Sequence, residues 1–240
     1  MMQVTVANIR GYGPWTLTLG HDREHHLQML QASLYRKTQQ LFSEKGALVF
    51  PNRYDEYIIA SSGMDAEEHS NISNIISNEF QVKLDMYVGH GDTPQKAEQS
   101  AHMHRSVDTA KKHSDDIVTV MHIDVDNLTD RTHSVSPYGI SQIMLKLHLE
   151  MSEYFLERES LSFFMGGDNF MVLGSDQGRD ASQGFLDKIK QGMGINLNCG
   201  IGVASTGREA ARRATKSLDT IREIRESGAE EIPRIYEADC

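Results

Sequence analysis

Asp168 and Asp124 are the residues whose type and setting point to chemistry. In Phe163–Val172 (FFMGGDNFMV) two apolar runs are separated by Gly166, Gly167, Asp168 and Asn169, the form of a tight hairpin whose turn holds a carboxylate. The glycines supply positive φ and leave bare backbone beside which a bulky ligand fits. Upstream, Ile117–Asn127 (IVTVMHIDVDN) reads as a buried strand ending in a second acidic cluster, Asp124 and Asp126. Carboxylates at a strand end and beside bare backbone suit a Mg²⁺–nucleotide site, because Mg²⁺ takes hard oxygen ligands together with substrate phosphates. A solvated turn or a polar strand exit accounts for either cluster alone. Both clusters in one strand–helix–hairpin pattern favour the metal, with Asp124 and Asp168 as catalytic ligands and Asp126 as a weaker third. Two such ions would clamp phosphates and lower the pKa of a bound water.

Residues around this pair sort by what they offer. The turn after Asp126 presents the backbone N–H groups of Asn127 and Leu128 to phosphate oxygens, as a nest does. Gly166 and Gly167 offer the same on the hairpin side, while Tyr138 and Asn169 are candidates for purine contact. His122 is expected to point away from Asp124 as a satisfied buried histidine. Trp15 is expected to be a packing anchor between halves of the chain rather than a wall of a purine pocket. The last helix carries Arg208, Arg212, Arg213, Lys216, Arg222 and Arg225, most of them expected on a solvated face with Glu209 and Glu223. Zinc is not expected: the chain has 2 cysteines and 11 scattered histidines. His25 and His26 are expected to diverge on a helix.

The elements that position these residues come as a repeat. Val4–Ile9 matches Val118–Ile123 at an offset of 114, and so does Leu48–Phe50 with Ser162–Phe164. Arg53–Glu56 falls on Gly166–Asn169 at 113, as Val88–Thr93 falls on Ile201–Thr206, Ala97 on Ala210 and Ala101 on Ala214. Each half reads strand, long helix, hairpin, helix, strand, helix, with segments near 3–9, 22–44, 47–50, 55–60, 66–78, 82–88 and 93–110, then 117–123, 138–158, 161–164, 170–173, 180–191, 196–203 and 206–226. That is an α+β protein of two tandem ferredoxin-like βαββαβ domains, 1–110 and 111–240. Ser136-Pro137 starts one long helix and Gly228 stops the last.

Bulk properties narrow the class. The 240 residues are 39% hydrophobic, enough for cores, and no apolar run approaches a membrane span. The first residues read directly as a strand, without a signal-peptide layout. Few cysteines and no leader favour a reduced, cytoplasmic protein. Net charge is −10, with −2 on residues 1–114 and −8 on 115–240, which fits cation binding and argues against a nucleic-acid surface; no membrane partner is expected.

The motifs YGPWT (Tyr12–Thr16), Arg53-Tyr54-Asp55, His122-Ile123-Asp124, FFMGGDNFM (Phe163–Met171) and Gly200–Val203 resemble, over nearly the whole chain, the archaeal GTP cyclohydrolase III family. That family is similar in fold to GGDEF and class III nucleotide cyclases, whose palm domains place acidic metal ligands on strand ends. The resemblance implies conversion of GTP to a formylaminopyrimidine ribonucleotide monophosphate with release of two phosphates, Mg²⁺ as two ions, a monovalent cation beside them, and a homo-oligomer. It also implies the Val125 carbonyl as a metal ligand and Arg222 as the phosphate-binding cation of the final helix. A nucleotide cyclase using the same metals, or a non-catalytic GTP-binding module, stays open. Departures lie in or beside the first half. Arg10-Gly11 replaces the family's Asp-Asn before YGPWT, Asp55-Glu56 replaces Asp-Asn in the first hairpin, and the linker is shortened around residues 101–113. At the 114 offset Arg10 stands where Asp124 does, so the second half is expected to hold the metals. Arg10 would then pair with Asp55, or Arg10 or Arg53 would serve a phosphate.

Overall fold

The computed structural model describes residues 1–112, 116–126, 135–229 and 231–238. The chain divides into two compact units, Met1–Asp92 with Lys96–Asp116, and Thr93–Gln95 with Ile117–Cys240. Asn127 and Leu128, with the turn they were expected to form, lie outside the described residues.

The first unit runs β1 (Met2–Ile9), α1 (Tyr12–Leu17), α2 (Arg23–Ser43), β2 (Leu48–Arg53), β3 (Glu56–Ala60), α3 (Ala66–Phe80), β4 (Leu84–Gly91) and α4 (Pro94–His104). Its sheet is ordered β2-β3-β1-β4, with the described pairings antiparallel. The second runs β5 (Val118–Val125), α5 (Pro137–Leu156), β6 (Leu161–Gly166), β7 (Asn169–Gly174), α6 (Asp176–Asp180), α7 (Ser182–Met193), β8 (Leu197–Ala204), α8 (Gly207–Glu226) and β9 (Ile235–Glu237). Its order is β6-β7-β5-β8-β9, with β9 parallel to β8. Each unit therefore contains the βαββαβ arrangement, in strand order 2-3-1-4, that defines a ferredoxin-like sheet. Among the described residues no helix is long and apolar enough to cross a membrane.

Alternation along β5 decides where the chemistry goes. Met121, Ile123 and Val125 join Met144, Leu147, Met151 and Phe155 of α5 and Phe185 and Ile189 of α7 in one core. The even positions His122 and Asp124 must then face the other side of the sheet, where α8 lies along β8 and β5. Glycines let that helix come close. A Cβ on Gly202 would meet the Ala210 carbonyl at 2.2 Å and the Ala214 nitrogen at 2.3 Å; one on Gly200 would meet the Ala214 carbonyl at 2.1 Å. In the first unit a Cβ on Gly89 would meet the Ala97 carbonyl at 2.2 Å and the Ala101 nitrogen at 2.1 Å. The same helix-on-strand contact thus recurs 113 residues apart.

Local signals set the helix ends. The Ser136 hydroxyl accepts from the Gly139 amide at 3.2 Å with Pro137 at the first turn, and Thr206 accepts from the Glu209 amide at 3.4 Å. Gly228, at φ 77°, follows the end of α8. One expectation is corrected: the helix expected over 93–110 ends at His104, before Arg105 at positive φ. The helix expected over 180–191 runs over Ser182–Met193, behind the short α6 that ends at Asp180. Trp15, in the short helix α1, packs on the first unit's own core, 5.9 Å from the Tyr12 ring.

Candidate active site

The hairpin between β6 and β7 is pinned to the end of β5. Asp124 lies opposite Asn169 in the ladder, and the Val125 amide donates to the Asp168 carbonyl at 3.3 Å, which brings Asp168 beside the acidic strand end. Gly166 at φ 99° and Gly167 at φ 63° make the turn, and nothing lies within 4 Å of where a Gly166 Cβ would stand. The turn is thus open at Gly166.

Asp124 is buried, 6% exposed. Its Oδ2 accepts from Arg222 Nη2 at 2.7 Å, whereas its Oδ1 is buried with no partner among the described residues. A charged oxygen left so is costly unless a cation meets it. Hard oxygen donors from Asp124 and Asp168 beside an open turn, with one oxygen waiting, fit Mg²⁺. Val125 is buried at the same strand end, with its amide already used by Asp168.

His122 is on the same face as Asp124, which corrects its expected orientation: two residues apart on a strand means one side. Asn169 Oδ1 accepts from His122 Nε2 at 3.0 Å, which leaves Nδ1 to accept from the Thr215 hydroxyl at 3.1 Å. Asn169 Nδ2 in turn donates to Asp168 Oδ1 at 2.7 Å. Each end of the Asn169 amide is therefore engaged once, and the residue orients Asp168. Burial holds the His122 imidazole below its usual pKa, so this chain runs through the neutral ring. Tyr138, at the start of α5, is 77% exposed.

Asp126 sits among arginines. Arg225 Nη1 meets its Oδ1 at 2.8 Å and Arg234 Nη1 its Oδ2 at 2.6 Å, while its amide donates to the Asn196 carbonyl at 2.9 Å. Burial alone would raise its pKa, but the arginines outweigh that and hold it below the usual carboxylate value. With both oxygens meeting arginines, Asp126 is paired with two cations here. Arg225 is corrected, from the solvated face to this pair. Arg212 and Arg213 do bond Glu209, pulling it down to about 2. Arg222 itself bridges Asp124 and, at 3.0 Å, Asp219. Arg234, Asn198, Thr215 and Asp219 escaped the sequence reading. Arg234 reaches the site only because the three-residue β9 pairs with β8, and such a segment leaves no periodic signal.

Strand register corrects the alignment of the halves. Ile9 N donates to the Asp55 carbonyl as Val125 N does to that of Asp168, and Arg10 N to the Lys83 carbonyl as Asp126 N does to that of Asn196. Val4 pairs with Gly89 as Val120 pairs with Gly202. The first strand is thus offset by 116, not 114, and Leu48–Phe50 matches Leu161–Phe163 at 113. Asn8, not Arg10, is the counterpart of Asp124, and Arg10 that of Asp126. Arg10 pairs with Asp85 rather than Asp55. Asp55 is met by Arg53 at 3.2 Å, and Arg53 also reaches Glu56 at 3.2 Å.

Among the described residues one other cluster offers metal-ligating atoms. Asp22, His25 and His26 bring ligand atoms within 4.8 Å of one another, and the two imidazoles are 3.9 Å apart, correcting their expected divergence. All three are exposed at the start of α2, where the positive helix end opposes a cation.

A family model for GTP cyclohydrolase III matches residues 2–232. The chain is similar to proteins of that name from Methanosphaera stadtmanae (32% identical over 238 residues, 92% of this chain and 93% of that one) and Methanocaldococcus jannaschii (32% over 237 residues, 92% and 88%). Among solved structures it is similar to an EAL/GGDEF domain protein from M. capsulatus, at 19% identity and TM-score 0.41, covering 54% of this chain and 90% of that one.

Proposed function

We propose that this chain, which belongs to the GTP cyclohydrolase III family, is a Mg²⁺-dependent GTP cyclohydrolase whose reaction takes place at the Asp124–Asp168 end of the second sheet. The observation that carries the reading is the buried, unpartnered Asp124 Oδ1 beside the open Gly166–Gly167 turn. Asp124 and Asp168 would hold the metal, with the Val125 carbonyl as a further oxygen. The chemistry that Mg²⁺ held there would supply is polarisation of phosphoryl oxygens and a lowered pKa for a bound water.

The chain's own residues supply the rest. Thr215, His122 and Asn169 form a hydrogen-bonded line that ends on Asp168 Oδ1, so the turn carboxylate keeps one orientation as substrate arrives. Glycines at 166 and 167 let the nucleotide approach the backbone without a side chain between. Arg222, half-exposed on α8, is the cation for the triphosphate. In the overall reaction, water cleaves the C8–N9 bond to leave a formylamino group on the pyrimidine, and further water cleaves both phosphoanhydrides to give two orthophosphates.

Incubation of the purified chain with Mg²⁺ and GTP, followed by mass spectrometry and phosphate assay, tests this. The expected product is the formylaminopyrimidine ribonucleotide monophosphate with orthophosphate. A cyclic nucleotide with pyrophosphate would refute the reading, as would binding without turnover.

A further inference from the structure

We infer that Arg222 is a stand-in for the metal. It occupies Asp124 in the nucleotide-free protein and leaves it for the substrate's phosphates, so that metal and nucleotide bind as a coupled pair. This rests on the proposed placement of the metal at Asp124.

The observations are electrostatic and geometric. Three guanidinium groups, Arg222, Arg225 and Arg234, stand against the two carboxylates Asp124 and Asp126. A divalent ion arriving alone at Asp124 Oδ1 must share the carboxylate with the cation already on Oδ2. The three arginines are not equally fixed. Arg225 and Arg234 converge on the same Asp126, whose side chain is 6% exposed, and on Asn198 Oδ1 at 3.4 and 3.1 Å. Arg222 makes one contact with Asp124, and its other partner is Asp219, itself 52% exposed. Its side chain is 48% exposed, against 33% for Arg225 and 38% for Arg234, so it has the least to unbury in swinging outward about its own helix.

Each ligand then removes the obstacle to the other. A phosphate oxygen gives Arg222 a charge-assisted partner in place of Asp124, and a metal on Asp124 satisfies the carboxylate that Arg222 releases. Free metal would bind weakly and nucleotide would strengthen it, with the reciprocal effect that linkage requires. Arg222 is in this sense a positioning residue for the metal as well as a contact to substrate.

Mn²⁺ alone, titrated without nucleotide and followed by electron paramagnetic resonance, is the test. Arg222→Ala should bind Mn²⁺ about tenfold more tightly than the parent, the scale of a partly exposed ion pair with one buried member. Arg222→Lys should fall between, because a lysine keeps the charge without the fork. The strengthening of Mn²⁺ binding by a non-hydrolysable GTP analogue should shrink in Arg222→Ala. Asp124→Asn separates the two failures. If Mn²⁺ binding is lost in Asp124→Asn but unchanged or weakened in Arg222→Ala, the exchange is overturned while the metal's placement stands. If Asp124→Asn binds Mn²⁺ as the parent does, or if no variant binds it with or without nucleotide, both are overturned.

Discussion

Replacing Asp124 by Asn separates a working carboxylate from a structural one. In the nucleotide-free protein this side chain is not well served: one oxygen meets Arg222 and the other is buried with no partner among the described residues. A buried polar oxygen left unpaired costs about 1–3 kcal/mol, and more when charged. The ion pair offsets only about 1 kcal/mol of this, because the Arg222 side chain is 48% exposed and solvent screens it. An amide of the same shape keeps the oxygen that Arg222 donates to and removes the buried charge. The fold should therefore gain between nothing and about 2 kcal/mol, and with about 2–4 °C per kcal/mol in a chain of this size the melting midpoint should stay or rise by a few degrees. Catalysis should move the other way. One unit charge at about 4 Å and an effective dielectric of about 20 is worth about 4 kcal/mol, and a divalent ion doubles it. If the loss of competition from Arg222 and of desolvation returns about half, about 4 kcal/mol remains, a loss of about a thousandfold in turnover. Thermal melts with and without Mn²⁺, beside a phosphate-release assay with GTP, read both effects. A midpoint lowered by more than about 5 °C with the Mn²⁺ response retained would show a structural residue and refute the reasoning; so would turnover within about tenfold of the parent.

Asp168→Asn should likewise lose about three orders of magnitude of turnover, whereas Asp55→Asn at the equivalent turn should keep Mn²⁺ binding and shift only stability or substrate affinity; the reverse pattern, in parallel metal titrations, would move the site to the first half. Folding stability should depend on pH through His69, which is buried, accepts from Thr5 at Nε2 and donates from Nδ1 to the Asp65 carbonyl. Burial lowers its pKa below 6.5 in the folded chain, so below that pH the unfolded chain binds more protons; the stability His69 contributes is present above pH 6.5 and fades as pH falls toward the folded value. Urea unfolding at successive pH values should show this fall, His69→Gln should flatten it, and an unchanged slope in the variant would contradict the assignment.

What the sequence disclosed, and what it hid, follows from how local each signal is. The hairpin was legible because Gly-Gly-Asp-Asn between apolar runs is turn chemistry complete in ten residues, and the caps at Ser136 and the stop at Gly228 are equally local. Strand alternation was legible too, and applied consistently it would have put His122 beside Asp124. The arginine partners were not. Arg222 and Arg225 are distinguishable from Arg208 and Arg212 only by the rotation of α8 on the sheet, which Gly200 and Gly202 fix by admitting helix backbone where a Cβ would clash. Arg234 depends on a parallel pairing of three residues across long sequence separation. One register error had the largest consequence. Aligning apolar strands by pattern alone leaves a slip of two unmarked, because a shift of two keeps every side chain on its face; only the ladder hydrogen bonds distinguish 114 from 116.

That slip changes why the first half differs from the second. With Asn8 opposite Glu56 where Asp124 lies opposite Asn169, the first sheet keeps a polar side chain at the counterpart of Asp124 but not the charge. Asp55 persists at the turn, yet the bare glycines of the second hairpin are Arg53 and Tyr54 here, and Arg53 already neutralises the aspartate. The position of Asp126 carries Arg10, and that of Asn198 carries Asp85, so a charged pair between the end of β1 and β4 replaces the arginines that reach Asp126 from α8 and from just before β9. The helix that would have to bring an arginine ends at His104, far short of the length of α8. Adding one carboxylate by Asn8→Asp would therefore not build a second site: the cation at Arg53 would remain, the turn would still lack its glycines, and no described helix residue stands where Arg222 does to receive a phosphate.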